Sequence, residues 1–121
     1  MSEDYFALWS RRSPGGTPER FNAGATIFAE GDAGDRMYIV RSGTVDLLVG
    51  NKLVETVQVN GIFGEMALVD GALRSATARA KEACELAPID RRLFLLMVDE
   101  APYFALNVMR VMADRLRKRS T

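Results

Sequence analysis

The sequence contains no histidine. This removes the commonest general base and the commonest metal ligand. Hydrolytic triads built on histidine are excluded. An iron centre of two histidines and one carboxylate is excluded as well. Cysteine is nearly absent, with Cys84 the only one in 121 residues. A single cysteine closes no internal disulfide, which fits a reducing compartment. It reads as a small buried hydrophobe rather than a nucleophile. With one cysteine and no histidine, no ordinary zinc site can be assembled, so no metal is expected. Net charge is missing too, because 16 basic residues balance 16 acidic ones. Overall attraction to nucleic acid or to an anionic membrane is therefore not implied. The start, "MSEDYFALWSRRS", opens with acids and holds no long apolar run. Neither a signal peptide nor a membrane span is expected, and the chain reads as soluble and cytoplasmic. The phosphate-loop signature "GK[ST]" never occurs.

What is present suits one domain. A chain of this length buries roughly two thirds of its unfolded surface and needs no disulfide or metal to fold. Apolar residues make up 48% and charged residues 26%, an ordinary globular balance. Residues 1–18 read as a weakly ordered segment, with "SPGGTPE" a loop by composition. From Glu19 to about Arg92 the pattern is short and extended. The runs 25–29, 36–43, 44–50, 52–59, 75–82 and 84–91 are rich in Val, Ile, Thr and aromatics, and several alternate apolar with polar. Glycines punctuate them. This predicts an antiparallel sandwich or barrel. Residues 65–71, "EMALVDG", predict a short helix ended by Gly71. Residues 91–100 predict another. Pro102 then starts a last helix, since proline fits a first helical turn and breaks an interior.

The stretch "FGEMALVDGALRSATARA" sets one acid, Glu65, against one base, Arg74, among small and apolar residues. A helix starting near Gly64 points free N–H groups at whatever lies before it. Glycine there lets a ligand approach the backbone. The guanidinium of Arg74 offers a planar fork suited to phosphate. Glu65 is acceptor-only when ionised, which suits a hydroxyl. A ligand with an anion beside a hydroxyl, such as a phosphorylated ribose, meets both demands. The alternative is that Glu65 and Arg74 pair with each other or lie in solvent. A buried ion pair is a poor stabilising device, so the residues alone leave both readings open.

The run "GEMALVDGALRSATARA" resembles the phosphate-binding cassette of the cyclic nucleotide-binding domain family. Upstream, "FAEGDAGDRMYIVRSGTVDLLV" (28–49) is similar to the family's other signature. Downstream, "RRLFLLMVDEAPYFALNVMRVMADRLRKR" resembles its two closing helices. The likeness spans about 19–119. It implies an eight-stranded jelly-roll β-sandwich over about 19–91, a short cassette helix, and two C-terminal helices over about 91–120. It also implies roles. Arg74 would pair with the cyclic phosphate, and Glu65 would accept from the ribose 2′-hydroxyl. Gly64, Ala67 and Ser75 would present backbone N–H groups, and Ala76 would leave room beneath the ligand. Leu68 would pack as a hinge for the helices. Leu116 and Arg117 are the candidates to cap the base. The implied ligand is cAMP or cGMP, with cAMP favoured as the commoner, although Ser75 can reach a guanine amino group. No cofactor is implied.

Enzyme activity is not expected, because a cyclase or phosphodiesterase needs metals held by several carboxylates or histidines. No DNA-reading motif is seen, and the basic tail "RLRKRS" (115–120) reads as a solvated helix end favoured by the dipole. Output is therefore expected through a homodimer or an effector protein. The face Leu106, Met109, Met112, Ala113 and Leu116 recurs at helical spacing and suits either a second copy or the sandwich itself. A third reading is a degenerate domain without ligand. In it an N-terminal acid, Glu3, Asp4 or Glu19, of the same or a neighbouring chain, would serve Arg74, which needs an anion wherever it is buried.

Overall fold

The computed structural model of the chain describes residues 4–119. It opens with a helix, α1 (Tyr5–Arg12), where a weakly ordered segment was expected. The correction has a local cause. Asp4 accepts from the Ala7 N–H and so satisfies a donor that the first turn leaves open. Tyr5, Leu8 and Trp9 share one face at helical spacing, and Leu8 and Trp9 are buried. The indole N–H of Trp9 donates to the Pro88 carbonyl at 2.8 Å.

Eight strands follow: β1 (Glu19–Phe21), β2 (Thr26–Phe28), β3 (Arg36–Ser42), β4 (Val45–Val49), β5 (Lys52–Val57), β6 (Ile62–Phe63), β7 (Thr77–Ala80) and β8 (Cys84–Asp90). They form two four-stranded sheets, ordered β1-β8-β3-β6 and β2-β7-β4-β5, and every pairing is antiparallel. This is the expected jelly roll. Three helices complete it. The short α2 (Glu65–Asp70) lies between β6 and β7, while α3 (Arg91–Glu100) and α4 (Pro102–Arg119) follow β8. Asp90 caps α3 by accepting from the Leu93 N–H.

The sheet that holds β3 and β8 is buried on both faces. Tyr38 and Val40 of β3, with Leu86 of β8, join Val45, Val57 and Ala78 between the sheets. Met37 and Ile39 alternate with them and face Leu8, Trp9, Met97, Phe104 and Val108 beneath the helices. Burial on both faces explains the unbroken apolar run "MYIV". Cys84 is buried in the inter-sheet core, where desolvation pushes its thiol pKa up.

The face assigned to α4 from its spacing divides in two. Met112 packs against the helix-side core beside Val111, so it does not belong to an outward surface. Leu106, Met109 and Leu116 are exposed, and Ala113 is partly buried. Phe104 and Val108 supply the buried side that the spacing did not single out. Among the described residues, no helix is long and apolar enough to cross a membrane, and no group of three or more His, Cys, Asp or Glu side chains could hold a metal.

Candidate functional site

Gly64 ends β6 in the left-handed region, at φ 81° and ψ 8°, and hands the chain to α2. Side chains strain there, so glycine is the natural occupant. Seven residues later Gly71, at φ 71°, closes α2 by donating its N–H to the Ala67 carbonyl. The loop back to β7 carries Arg74. Its backbone is held from both sides, since Arg74 N–H donates to the Asp32 carbonyl at 2.7 Å and Gly31 N–H donates to the Arg74 carbonyl at 2.8 Å.

The Arg74 side chain turns inward and is only 6% exposed. Its Nη1 donates to the Gly64 carbonyl at 3.1 Å and its Nη2 to the Arg36 carbonyl at 2.8 Å. The guanidinium carbon stands 4.0 Å from the Phe28 ring centroid, a cation–π contact. No carboxylate among the described residues forms an ion pair with it. Its Nε is buried without a hydrogen-bond partner. Desolvation therefore lowers its pKa, although an arginine stays charged near neutrality. The expected alternative, a Glu65–Arg74 ion pair, is absent. Of the N-terminal acids, the two described ones, Asp4 and Glu19, do not serve Arg74 within the chain. Asp4 caps α1, Glu19 pairs with Arg36 at 3.1 Å, and Glu3 lies outside the described residues.

Space for this side chain depends on Gly34. A Cβ there would stand 2.2 Å from Arg74 Nε and 2.5 Å from Cζ. Gly34→Ala is expected to cost about 1–3 kcal/mol of stability through overpacking. Chemical denaturation of the purified variant checks this.

Glu65 is 2% exposed and has a different partner, Arg115 of α4. Arg115 Nη1 donates to Glu65 Oε1 in a short bond. The same guanidinium grips Glu55 of β5, with Nε to Oε1 at 2.9 Å and Nη2 to Oε2 at 3.0 Å. Nη2 also donates to the Ile62 carbonyl at 2.7 Å. Desolvation opposes the charge on Arg115, but its bonds to Glu55 and the charge of Glu65 win and raise its pKa. Burial likewise pushes the Glu55 carboxyl up, and the Arg115 bond outweighs it and lowers the pKa. The stability held in this depressed carboxylate is present above its ordinary pKa of 4.5 and is lost as pH falls through the lower folded value. Acidification below pH 4.5 is expected to loosen the end of α4, seen as faster amide exchange there than in β3.

Gly64, Glu65, Ala67, Arg74, Ser75 and Ala76 line one small cavity, with Phe28, Leu47, Met66 and Arg115 completing its wall. All six residues singled out from the cassette are thus brought together. Its volume is about 30 Å³, room for roughly two waters. A second cavity of about 380 Å³ adjoins it and shares Leu47, Ala76 and Arg115. Val49, Lys52, Val54, Glu55 and Lys118 line the rest. Leu116 and Arg117, the expected base caps, line neither cavity. Leu116 is half exposed, and Arg117 donates to Asp114 at 3.1 Å. The residues α4 turns towards the cavities are Arg115 and Lys118 instead.

The jelly roll thus buries a guanidinium that forms no ion pair with a carboxylate among the described residues, beside the buried Glu65. The chain belongs to the cyclic nucleotide-binding domain family, whose model matches residues 18–101. Solved structures agree. A protein of a cyclic-GMP-dependent signalling pathway that regulates bacterial phytopathogenesis superposes with TM-score 0.77 at 28% identity, covering 96% of this chain and 94% of its own. The catabolite activator protein of Thermus thermophilus gives TM-score 0.80 at 30% identity, covering 99% of this chain and 57% of that one. The cAMP-bound form of the EAL enzyme Bd1971 gives TM-score 0.64 at 36% identity, covering 85% of this chain and 29% of that one. This chain therefore spans only part of the length of the last two.

Proposed function

We propose that the chain is a sensor module that binds a cyclic nucleotide, cAMP or cGMP, and signals through α3 and α4. It has no catalytic role in this reading and works in the cytoplasm. The cyclic phosphate sits on Arg74. Glu65 accepts from the ribose 2′-hydroxyl. Gly64, Ala67 and Ser75 offer backbone donors, and Ala76 keeps the floor low. The base enters the larger adjoining cavity, over Leu47, Val49 and Val54. One observation carries this reading: Arg74 is buried with an unpaired Nε and, among the described residues, no carboxylate in an ion pair with it. A buried charge without an ion-pair partner is costly, and an anionic ligand relieves that cost. Support also comes from Bd1971, which has been solved in cAMP-bound and cGMP-bound forms.

The test is a calorimetric titration of the purified chain with each nucleotide. Saturable binding of one or both is expected. Absence of heat at millimolar ligand would leave a nucleotide-free interaction module as the better reading. A homodimer is the proposed route of output, because Leu106, Met109 and Leu116 are exposed at spacings of three and seven along α4. Residues so spaced suit a helix–helix seam. Met112 is no longer part of that seam, and an effector protein in trans is the alternative occupant.

A further inference from the structure

The acceptor proposed for the ribose hydroxyl is already engaged. Arg115 is 9% exposed, the sole basic residue of α4 among those described that is buried. It reaches Glu65 beside the cassette, Glu55 on β5 and the Ile62 carbonyl at the end of the β5–β6 connection. One guanidinium thus ties α4 to three places on the sandwich. It also stands in the partition between the two cavities. The other shared residues are Leu47 in β4 and Ala76 immediately before β7. Arg115 is the part of that wall carried by a different element.

The volumes sharpen the point. The cavity at Arg74 and Glu65 is about 30 Å³, whereas sites for small organic ligands usually run to roughly 300–1,000 Å³. Joined to its 380 Å³ neighbour, the space falls within that range. We infer that Arg115 is a latch displaced by the ligand: its guanidinium holds Glu65 in place of the sugar hydroxyl, and nucleotide enters by expelling it together with the end of α4. This inference rests on the nucleotide-binding reading of the same site and names the contact that couples it to α4.

The coupling follows from linkage. A ligand shifts a two-state equilibrium only through its different affinities for the two states. Here the difference is concrete, because the latched state offers Glu65 to Arg115 and the open state offers it to ribose. A latched population lowers apparent affinity by the fraction that is open, so cutting the latch tightens binding.

The experiment titrates three full-length proteins with cAMP and cGMP: wild type, Arg115→Gln and Glu55→Gln. Amide exchange of α4 is followed in each, with and without nucleotide. Arg115→Gln is expected to bind roughly 5- to 150-fold more tightly, the usual span of allosteric coupling. Glu55→Gln loosens Arg115 without touching Glu65. It is expected to shift affinity the same way by less, and it keeps the question answerable if Arg115→Gln fails to fold. In wild type, ligand should speed exchange over 111–118 to the rate seen in ligand-free Arg115→Gln. Binding by the Arg115 variant alone would also support the latch. Weaker binding by both variants would make Arg115 a ligand contact and overturn it. Unchanged affinity with unchanged exchange would make it a structural bridge only, leaving nucleotide binding intact. No binding by any of the three proteins would remove the nucleotide reading and the latch with it.

Discussion

Replacing Arg74 by alanine is expected to weaken cyclic-nucleotide binding by roughly thirty-fold to several thousand-fold. That corresponds to about 2–5 kcal/mol, the cost of truncating one partner of a buried, hydrogen-bonded charge pair. The geometry explains why the loss falls on binding. Two of the guanidinium nitrogens already hold the Gly64 and Arg36 carbonyls, and Phe28 backs the plane. The side chain is therefore fixed before any ligand arrives, and a preformed site loses little entropy on binding. In the ligand-free protein two effects oppose each other. Alanine leaves two carbonyls short of donors, but it also removes an uncompensated buried charge. The melting temperature of the free variant should therefore move less than its response to nucleotide. A thermal-shift titration with both nucleotides reads the two quantities together. Lysine at this position keeps the charge and loses the fork, so Arg74→Lys should fall between wild type and alanine. Wild-type affinity in Arg74→Ala would place the anion elsewhere.

The largest expected loss of stability comes from the other end of the chain. Trp9→Ala should cost about 3–5 kcal/mol, the usual range for truncating a large buried aromatic side chain. Trp9 is 2% exposed, packs 5.3 Å from the Phe6 ring, and satisfies the Pro88 carbonyl. A domain of this size has on the order of 5–15 kcal/mol to lose. Urea denaturation followed by circular dichroism measures the change. A cost below about 1 kcal/mol would mean that α1 contributes little to the core beneath it.

These two residues also mark what could be read from sequence. Arg74, Glu65 and the α2 turn were legible because their signals are local: a glycine before the helix, a glycine after it, and a lone arginine at the head of a strand. Most strands of the jelly roll were legible through alternation. β1 and β6 span three and two residues, too few for a period to register. α1 was hidden by its neighbour "SPGG", although Asp4, Leu8 and Trp9 already carried a cap and a face. Arg115 was taken for part of a solvated basic tail, since its partner Glu65 lies 50 residues away. Local pattern cannot see such a pairing. Helical register could have helped, because Phe104, Val108, Val111 and Arg115 fall on one side of α4. The neighbours of the expected base caps Leu116 and Arg117, namely Arg115 and Lys118, line the adjoining cavity, a register that local pattern does not resolve.

The strand β3 gives Met37 and Ile39 to one core and Tyr38 and Val40 to the other. Its first residue, Arg36, lends a carbonyl to the guanidinium of Arg74. The layer under the helices and the layer around Arg74 thus hang on a single length of backbone. The two layers are therefore expected to melt together in one cooperative transition.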